Sequence, residues 1–513
     1  MEPLSRDALA SVDFSDPNSL LDYASKLEGH TFREILELEI FPDESGENRG
    51  KVEYSALSFK GGLGTLVEER YFGYKANDNP APDFEEAGLE LKTTCYDVNA
   101  KGEKRAGERL VLCMLAFDET IEKPFSQSHA WEKGGSILLI YYGRNKSVDK
   151  YDQEITYVTL FTPTEKDLAI IEQDYATIQR YVMEGRADEL SESMTNYLGA
   201  CTKGASAEKS MRDQKVYAPG RKARGRAWCY KSSYMNAVLN DYIVAFRDAD
   251  GASVGEPADG EIVKDVGRLK ALGFDDYVTS LVRPYVGMTD KEICAAFDLR
   301  YTGNKAQWTS IVYRMLGIKG NHAEEFAKAN VSVRTVRVKP DGGIRESLSL
   351  TPFRFLDLVE ETWEESPLRA HFVDTRFFFV VFQETADGYK LMGARFWSMP
   401  VSDVEGPLRD CWQTTKSAIE AGIQLVEKVD DSGRRTISNN LPGKKDNAVA
   451  HVRPHSARAA YLLEDGREIG AIEQDADELP DGRRMTKQSF WLNNDYIRAI
   501  VDEVVREGSA AKG

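Results

Sequence analysis

Five segments from the first half of this 513-residue chain recur, in the same order, in the second half. "FKGGLGTLVEERYFGYK" (59–75) resembles "GNKAQWTSIVYRMLGIK" (303–319). Each reads as a short amphipathic helix ending at Gly with Lys just beyond. "PDFEEAGLELKTT" (82–94) resembles "EEFAKANVSVRTV" (324–336), with Phe84 opposite Phe326 and Ala87 opposite Ala329. "GGSILLIYYG" (134–143) resembles "DTRFFFVVFQ" (374–383), each a buried strand. "YLGACTKGASAEKS" (197–210) has a looser echo in "VAHVRPHSARAAY" (449–461). "WCYKSSYMNAVLNDYI" (228–243) returns as "FWLNNDYIRAIVDEVV" (490–505). Shared apolar periodicity explains one match; five in order point to a duplicated unit.

What folds twice is a mixed α/β domain. "LELKTTCYD", "RLVLCMLAF" and "SILLIYYG" carry the β-branched and aromatic content of strands. Residues 165–198 have helical periodicity with acids early. The stretch "DADGASVGEPADGE" is rich in Gly, Ala, Pro and acid, so residues 248–261 read as a linker between units 1–247 and 262–513. At about 150 residues per domain, this length suits two to four domains. No apolar run approaches the roughly 18 residues of a membrane span. The start, "MEPLSRDALASVDFSD", lacks the basic and apolar regions of a signal peptide. Six scattered cysteines without a CxxC fit a reducing cytoplasm and argue against a disulfide framework or a structural zinc site.

The formal charge is −18, whereas a nucleic-acid binder shows a basic footprint. Binding answers to local charge, however. From Lys215 to Asn240 there is no acid, and Lys215, Arg221, Lys222, Arg224, Arg226 and Lys231 alternate with Tyr217, Trp228, Tyr230 and Tyr234. That window reads either as a solvated loop running into a helix or as a strip that meets phosphates.

The chemistry concentrates in "NPAPDFEEAGLELKTT". Side chains alternate along a strand, so Glu90 and Lys92 share one side while Leu89 and Leu91 enter the core. Asp83 precedes them across a turn holding Gly88. Two carboxylates with an ammonium beside them suit Mg²⁺, which binds hard oxygens and substrate phosphate. Lys92 would orient water or stabilise the phosphorane. The spacing alone also fits a surface strand with alternating charges. Glu68, on the preceding helix, would add a third carboxylate, with Glu69 as its rival. Lys133 stands just ahead of a buried strand in "SHAWEKGGSILLIYY".

Together, "FKGGLGTLVEERYFG", "PDF…GLELKTT", "SH…K…ILLI" and "YKSSYMNAVL" resemble the MutH mismatch-repair endonucleases. They resemble still more the related Sau-type restriction endonucleases, which cut at GATC and carry a degenerate second copy. The resemblance implies a duplicated restriction-endonuclease-like fold, PD-(D/E)xK in type, with a mixed sheet and flanking helices. It implies Mg²⁺-dependent hydrolysis of double-stranded DNA leaving a 5′-phosphate. Asp83 and Glu90 match metal ligands, joined by the Leu91 carbonyl and by Glu68. Lys92 matches the catalytic lysine and Lys133 a second active-site lysine. Lys60 and Gly61 match one DNA-reading element. The second reader is an Arg-Pro-Lys-like loop that here has become Cys201, Thr202 and Lys203. Cys229 stands near the place of a methylation-sensing tyrosine, with Tyr230 adjacent, which leaves the methylation response open.

In the second unit Glu68 falls opposite Val312, Glu90 opposite Ser332 and Lys92 opposite Arg334, while Glu325 keeps the carboxylate of Asp83. A fold kept without its chemistry suggests binding, and the resemblance implies an allosteric DNA-binding half. "HVRPHS" restores an Arg-Pro pair at Arg453, and Arg is the usual bidentate partner of guanine. Residues 262–513 are expected to fold alone and bind DNA without cutting it. A monomer in solution and a dimer on DNA both fit. Three alternatives remain: a mismatch-repair-type nicking endonuclease, a nuclease of the same fold acting on junctions or damaged DNA, and a non-catalytic DNA-binding regulator.

Overall fold

Strand formation follows the β-branched and aromatic runs. The computed structural model describes residues 3–39, 62–74, 81–204, 208–244, 260–429, 431 and 435–510. In the first half the strands are β1 (Glu90–Val98), β2 (Lys104–Ala106), β3 (Leu110–Leu115), β4 (Ile137–Gly143), β5 (Ile155–Phe161), β6 (Leu198–Thr202), β7 (Met211–Gln214), β8 (Ala218–Arg224) and β9 (Arg226–Tyr230). One sheet runs β2-β1-β4-β5, and only its β1–β4 pair is parallel. A parallel pair needs a crossover. The chain makes it by sending β3 to a second, antiparallel sheet of order β3-β9-β6 and returning through the helix His129–Gly134.

The unbroken apolar run of β4 reflects burial on both faces, with Ile137 to Tyr141 each 0% exposed. Leu138 and Ile140 pack with Leu91, Leu66 and Val67 in one core. Ile137, Leu139 and Tyr141 face the other core, which holds the second sheet.

The second half repeats this layout with β10 (Val331–Val338), β11 (Leu348–Phe353), β12 (Arg376–Thr385) and β13 (Gly388–Trp397). β10 and β12 are parallel, β12 and β13 antiparallel. β11 joins the strands Gln488–Leu492 and Ala450–Pro454 in a separate antiparallel sheet. Glu90 pairs with Ile137 in the first half and Ser332 with Phe377 in the second, the same register at positions that align in sequence.

The halves do not stand apart. A single hydrophobic core contains Leu139, Ile178 and Tyr230 from the first and Phe274, Trp308 and Phe378 from the second. Within it Lys328, 1% exposed, donates to Asp167 at 3.1 Å, and Lys231 donates to the Ala329 carbonyl at 3.3 Å. Residues 248–259 of the expected linker lie outside the described residues. The helix expected over 165–198 is Glu165–Met183. Beyond it, Asp174 accepts from the amides of Asn196, Tyr197 and Leu198, so these residues lead into β6 instead of extending the helix. No described helix is long and apolar enough to cross a membrane.

Candidate active site

The six-residue gap between Asp83 and Glu90 is a fold-back loop. Phe84 and Leu89 exchange backbone hydrogen bonds of 2.9 and 3.1 Å, closing a 3₁₀ turn over Glu85–Ala87. Gly88 leaves that turn at φ +60°, in the left-handed region, with nothing within 4 Å of where a Cβ would lie. The loop brings Asp83 back over the start of β1. Its carboxylate accepts from the Leu91 amide at 2.9 Å, and its own amide donates to Glu90 at 3.3 Å.

Glu68 comes from a separate segment. The helix Leu63–Leu66 continues as a π turn, Val67–Phe72, and Gly73 ends it at φ +78°. Local π geometry of this kind is frequent at functional sites. Burial, and then the neighbouring Asp83 carboxylate, push Glu68 up to about 7. Burial, and then Glu90, push Asp83 up to about 6.

Two lysines compensate Glu90, which is 2% exposed. Lys92 reaches one oxygen at 2.5 Å and Lys133 the other at 2.8 Å. Lys133 also donates to the Ala81 carbonyl at 2.6 Å. Its helix is capped by Ser128, whose hydroxyl accepts from the Trp131 amide at 3.2 Å, so the Ser of "SH" aims the lysine. Among the described residues no three His, Cys, Asp or Glu side chains close on one point as a finished metal cage. Glu90 shows why: its two oxygens are held by ammonium groups.

The expected DNA contacts are scattered. Lys60 and Gly61 lie outside the described residues. Thr202 and Arg224 line a cleft of about 330 Å³ together with Arg109, Arg369 and Arg409. The Lys203 amide is bonded to the Gly225 carbonyl at 2.8 Å. Two members of the basic window are corrected by their surroundings. Arg226 is buried and donates to the carbonyls of Ala200 and Leu190. Lys231 is buried and donates to Thr195 at 3.0 Å. Both guanidinium and ammonium are spent on backbone, so neither is presented to phosphates.

Arg453 is exposed, with its guanidinium 4.3 Å over the Trp491 ring. It lies in a groove of about 730 Å³ with Lys305, Arg337, Lys339, Arg345 and Lys444. Sequence reading missed those five. They come from separate segments, and the signal was available only in the repeat, which puts Lys305 opposite Gly61. Glu325, the carboxylate kept in the second half, is 0% exposed and accepts from the amides of Ile262 and Val263 at 2.8 and 3.0 Å. His451, two residues before Arg453, is buried and hydrogen-bonded to Asn493 at 2.7 Å.

Residues 72–174 match the family model of the DNA mismatch repair enzyme MutH. The mixed α/β unit holding Asp83, Glu90, Lys92 and Lys133 is therefore restriction-endonuclease-like. The type II restriction enzyme Sau3AI of Staphylococcus aureus is 33% identical over 463 residues, which cover 85% of this chain and 91% of that protein. The MutH proteins of Shewanella woodyi and Pectobacterium atrosepticum are 26% and 22% identical over 147 and 173 residues, 29% and 34% of this chain and 62% and 69% of theirs. The chain belongs to the Sau3AI-like family of type II restriction enzymes and is a site-specific nuclease.

Proposed function

We propose that the first half hydrolyses both strands of double-stranded DNA at GATC with Mg²⁺. The second half, in this reading, is a degenerate copy that binds a second DNA site as effector. One observation carries the catalytic part: Asp83, folded onto the Leu91 amide, meets a buried Glu90 clasped by Lys92 and Lys133.

The residues fit a divalent cation of the hard type. Every candidate ligand is an oxygen: the carboxylates of Asp83, Glu90 and Glu68 and the Leu91 carbonyl. Burial raises both Glu68 and Asp83, helped by the Asp83 carboxylate at the first and by Glu90 at the second, and a cation relieves both. Mg²⁺, when bound, polarises the phosphate and acidifies water. Lys92, 2.5 Å from Glu90 and partly exposed, would offset the negative charge that develops on the phosphate. Lys133 stays on Glu90 and the Ala81 carbonyl and fixes the carboxylate's orientation.

In the second half, the matching strand register supports a duplicated unit. Val312 and Ser332 cannot ligate a cation as acids do, and Glu325 is committed to backbone amides. The groove around Arg453 supports DNA binding there through Lys305, Lys339 and Lys444, while Arg337 pairs with Glu346 and Arg345 with Glu384. The MutH match leaves nicking of one strand as the second reading.

Digesting a GATC-bearing plasmid with and without Mg²⁺ and sequencing the ends tests both. Two cut strands at GATC are expected, and a single nicked strand would favour the second reading. Asp83→Ala and Glu90→Ala should abolish cutting yet bind DNA in Ca²⁺. Either variant cutting at the wild-type rate would remove the assignment.

A further inference from the structure

Tyr74 sits beside the hydrolytic site with a hydroxyl that has no hydrogen-bond partner among the described residues. It follows Gly73 at the end of the π turn, and its amide donates to the Glu68 carbonyl at 3.2 Å. Its ring packs edge-on against Phe84, centroids 5.7 Å apart, beside Asp83. Tyr74 is thus pinned between the segments that supply Glu68 and Asp83. Its hydroxyl is buried and makes no hydrogen bond. Buried tyrosine hydroxyls normally find partners. Tyr71, three residues earlier, bonds the Tyr23 carbonyl at 2.9 Å, and Tyr23 bonds the Tyr71 carbonyl at 3.1 Å. Tyr141 and Tyr197 also carry unpartnered hydroxyls, but inside the central hydrophobic core. Tyr74 differs in its neighbours. Its amide bonds the Glu68 carbonyl and its ring meets Phe84, the residue after Asp83, and a phenol hydroxyl can donate.

A buried phenol hydroxyl without a partner beside a phosphodiester-cleaving centre lacks only an acceptor, and the substrate brings one. We propose that the Tyr74 hydroxyl donates a hydrogen bond to a non-bridging oxygen of the scissile phosphodiester, a partner present only in the DNA complex. This deepens the hydrolytic reading of Asp83 and Glu90 and rests on it. The hydroxyl would orient the phosphate and offset charge that grows on it in the transition state.

The test uses the full-length protein and Tyr74→Phe, which removes one oxygen and keeps the ring. Binding is measured in Ca²⁺ to a GATC duplex, and to the same duplex with a methylphosphonate at the mapped scissile linkage. Tyr74→Phe should bind the natural duplex about tenfold more weakly and cut it about tenfold to a hundredfold more slowly. The methylphosphonate should cost the variant about tenfold less affinity than it costs wild type, because the lost acceptor had no donor left to lose. The melting temperature should hold or rise, since the native hydroxyl has no partner in the free protein. Wild-type binding and cutting by Tyr74→Phe would overturn the proposal. Losses that multiply independently, or a melting temperature several degrees lower, would overturn it too. Asp83→Ala separates the two readings: if it cuts normally the hydrolytic site itself is misplaced. If it is dead while Tyr74→Phe behaves as wild type, only the role of Tyr74 falls.

Discussion

At Glu68 and Asp83, burial opposes charge, and this fixes how the site answers to pH. Both carboxyls titrate higher when folded, about 7 and about 6, than the ordinary 4.5 and 3.8. Between these limits the folded state binds more protons than the unfolded one, so stability falls as pH rises. The metal-free protein should therefore melt higher at pH 5 than at pH 8 on account of these groups. Glu68→Gln should flatten that dependence, as thermal scans across the range would show. A cation must displace the same protons, so cleavage at limiting Mg²⁺ should climb through about pH 6 to 7. Glu68→Ala should cripple cutting and Glu69→Ala should matter much less, because adjacent helical positions differ by about 100°. Single-turnover rates of both variants check the register of the helix; the reverse order would shift it by one.

Elements decide which cations are available. β9 buries Arg226 against two carbonyls, whereas the Ala450–Pro454 strand ends with Arg453 in solvent. Arg226→Ala leaves those carbonyls buried without donors, and should cost about 3 kcal/mol of stability in denaturant titrations. Its DNA affinity per folded molecule should change little. Arg453→Ala should do the opposite: it should unfold at the wild-type denaturant concentration, and binding at the second site should lose about 1–3 kcal/mol of sequence discrimination. A salt-slope change on Arg226→Ala without loss of stability would return β9 to the phosphate-contact reading.

Across the whole molecule, the shared core makes the halves one mechanical body. Residues 262–513 were expected to fold alone, but cut free they would expose Phe274, Trp308 and Phe378 along with the buried Lys328. Lys328→Met leaves Asp167, 0% exposed, in the core with only tyrosine hydroxyls as partners, and should cost about 3–5 kcal/mol. Calorimetry of the full chain should accordingly show one cooperative transition, lowered by that change. If the second half binds GATC as effector, two sites on one plasmid raise its effective concentration, and two-site plasmids should be cut faster than one-site plasmids. A GATC oligonucleotide in trans should rescue the one-site rate, and Arg453→Ala should erase both effects. Equal rates on both plasmids at several enzyme concentrations would leave the second half a scaffold.

The sequence by itself determined the mixed α/β class and the family resemblance, and it nominated a repeat and a set of acids and lysines. Those properties live in local periodicity and residue type: alternation sets the face of Glu90 and Lys92, and an apolar run marks β4. Glu68 stood out as an acid on the preceding helix, whereas Leu91 and Lys133 were given roles only through the family resemblance. Only the tertiary structure decided that Arg226 and Lys231 are interior while Arg453 is not, since burial depends on what packs over a strand. Only it gathered Lys305, Arg337, Lys339, Arg345, Lys444 and Arg453 into one groove. Only it fused the halves through a common core and left the Tyr74 hydroxyl without a partner beside the carboxylates. Each of these rests on contacts between residues far apart in the chain, and no local pattern specifies which distant segment fills a given space.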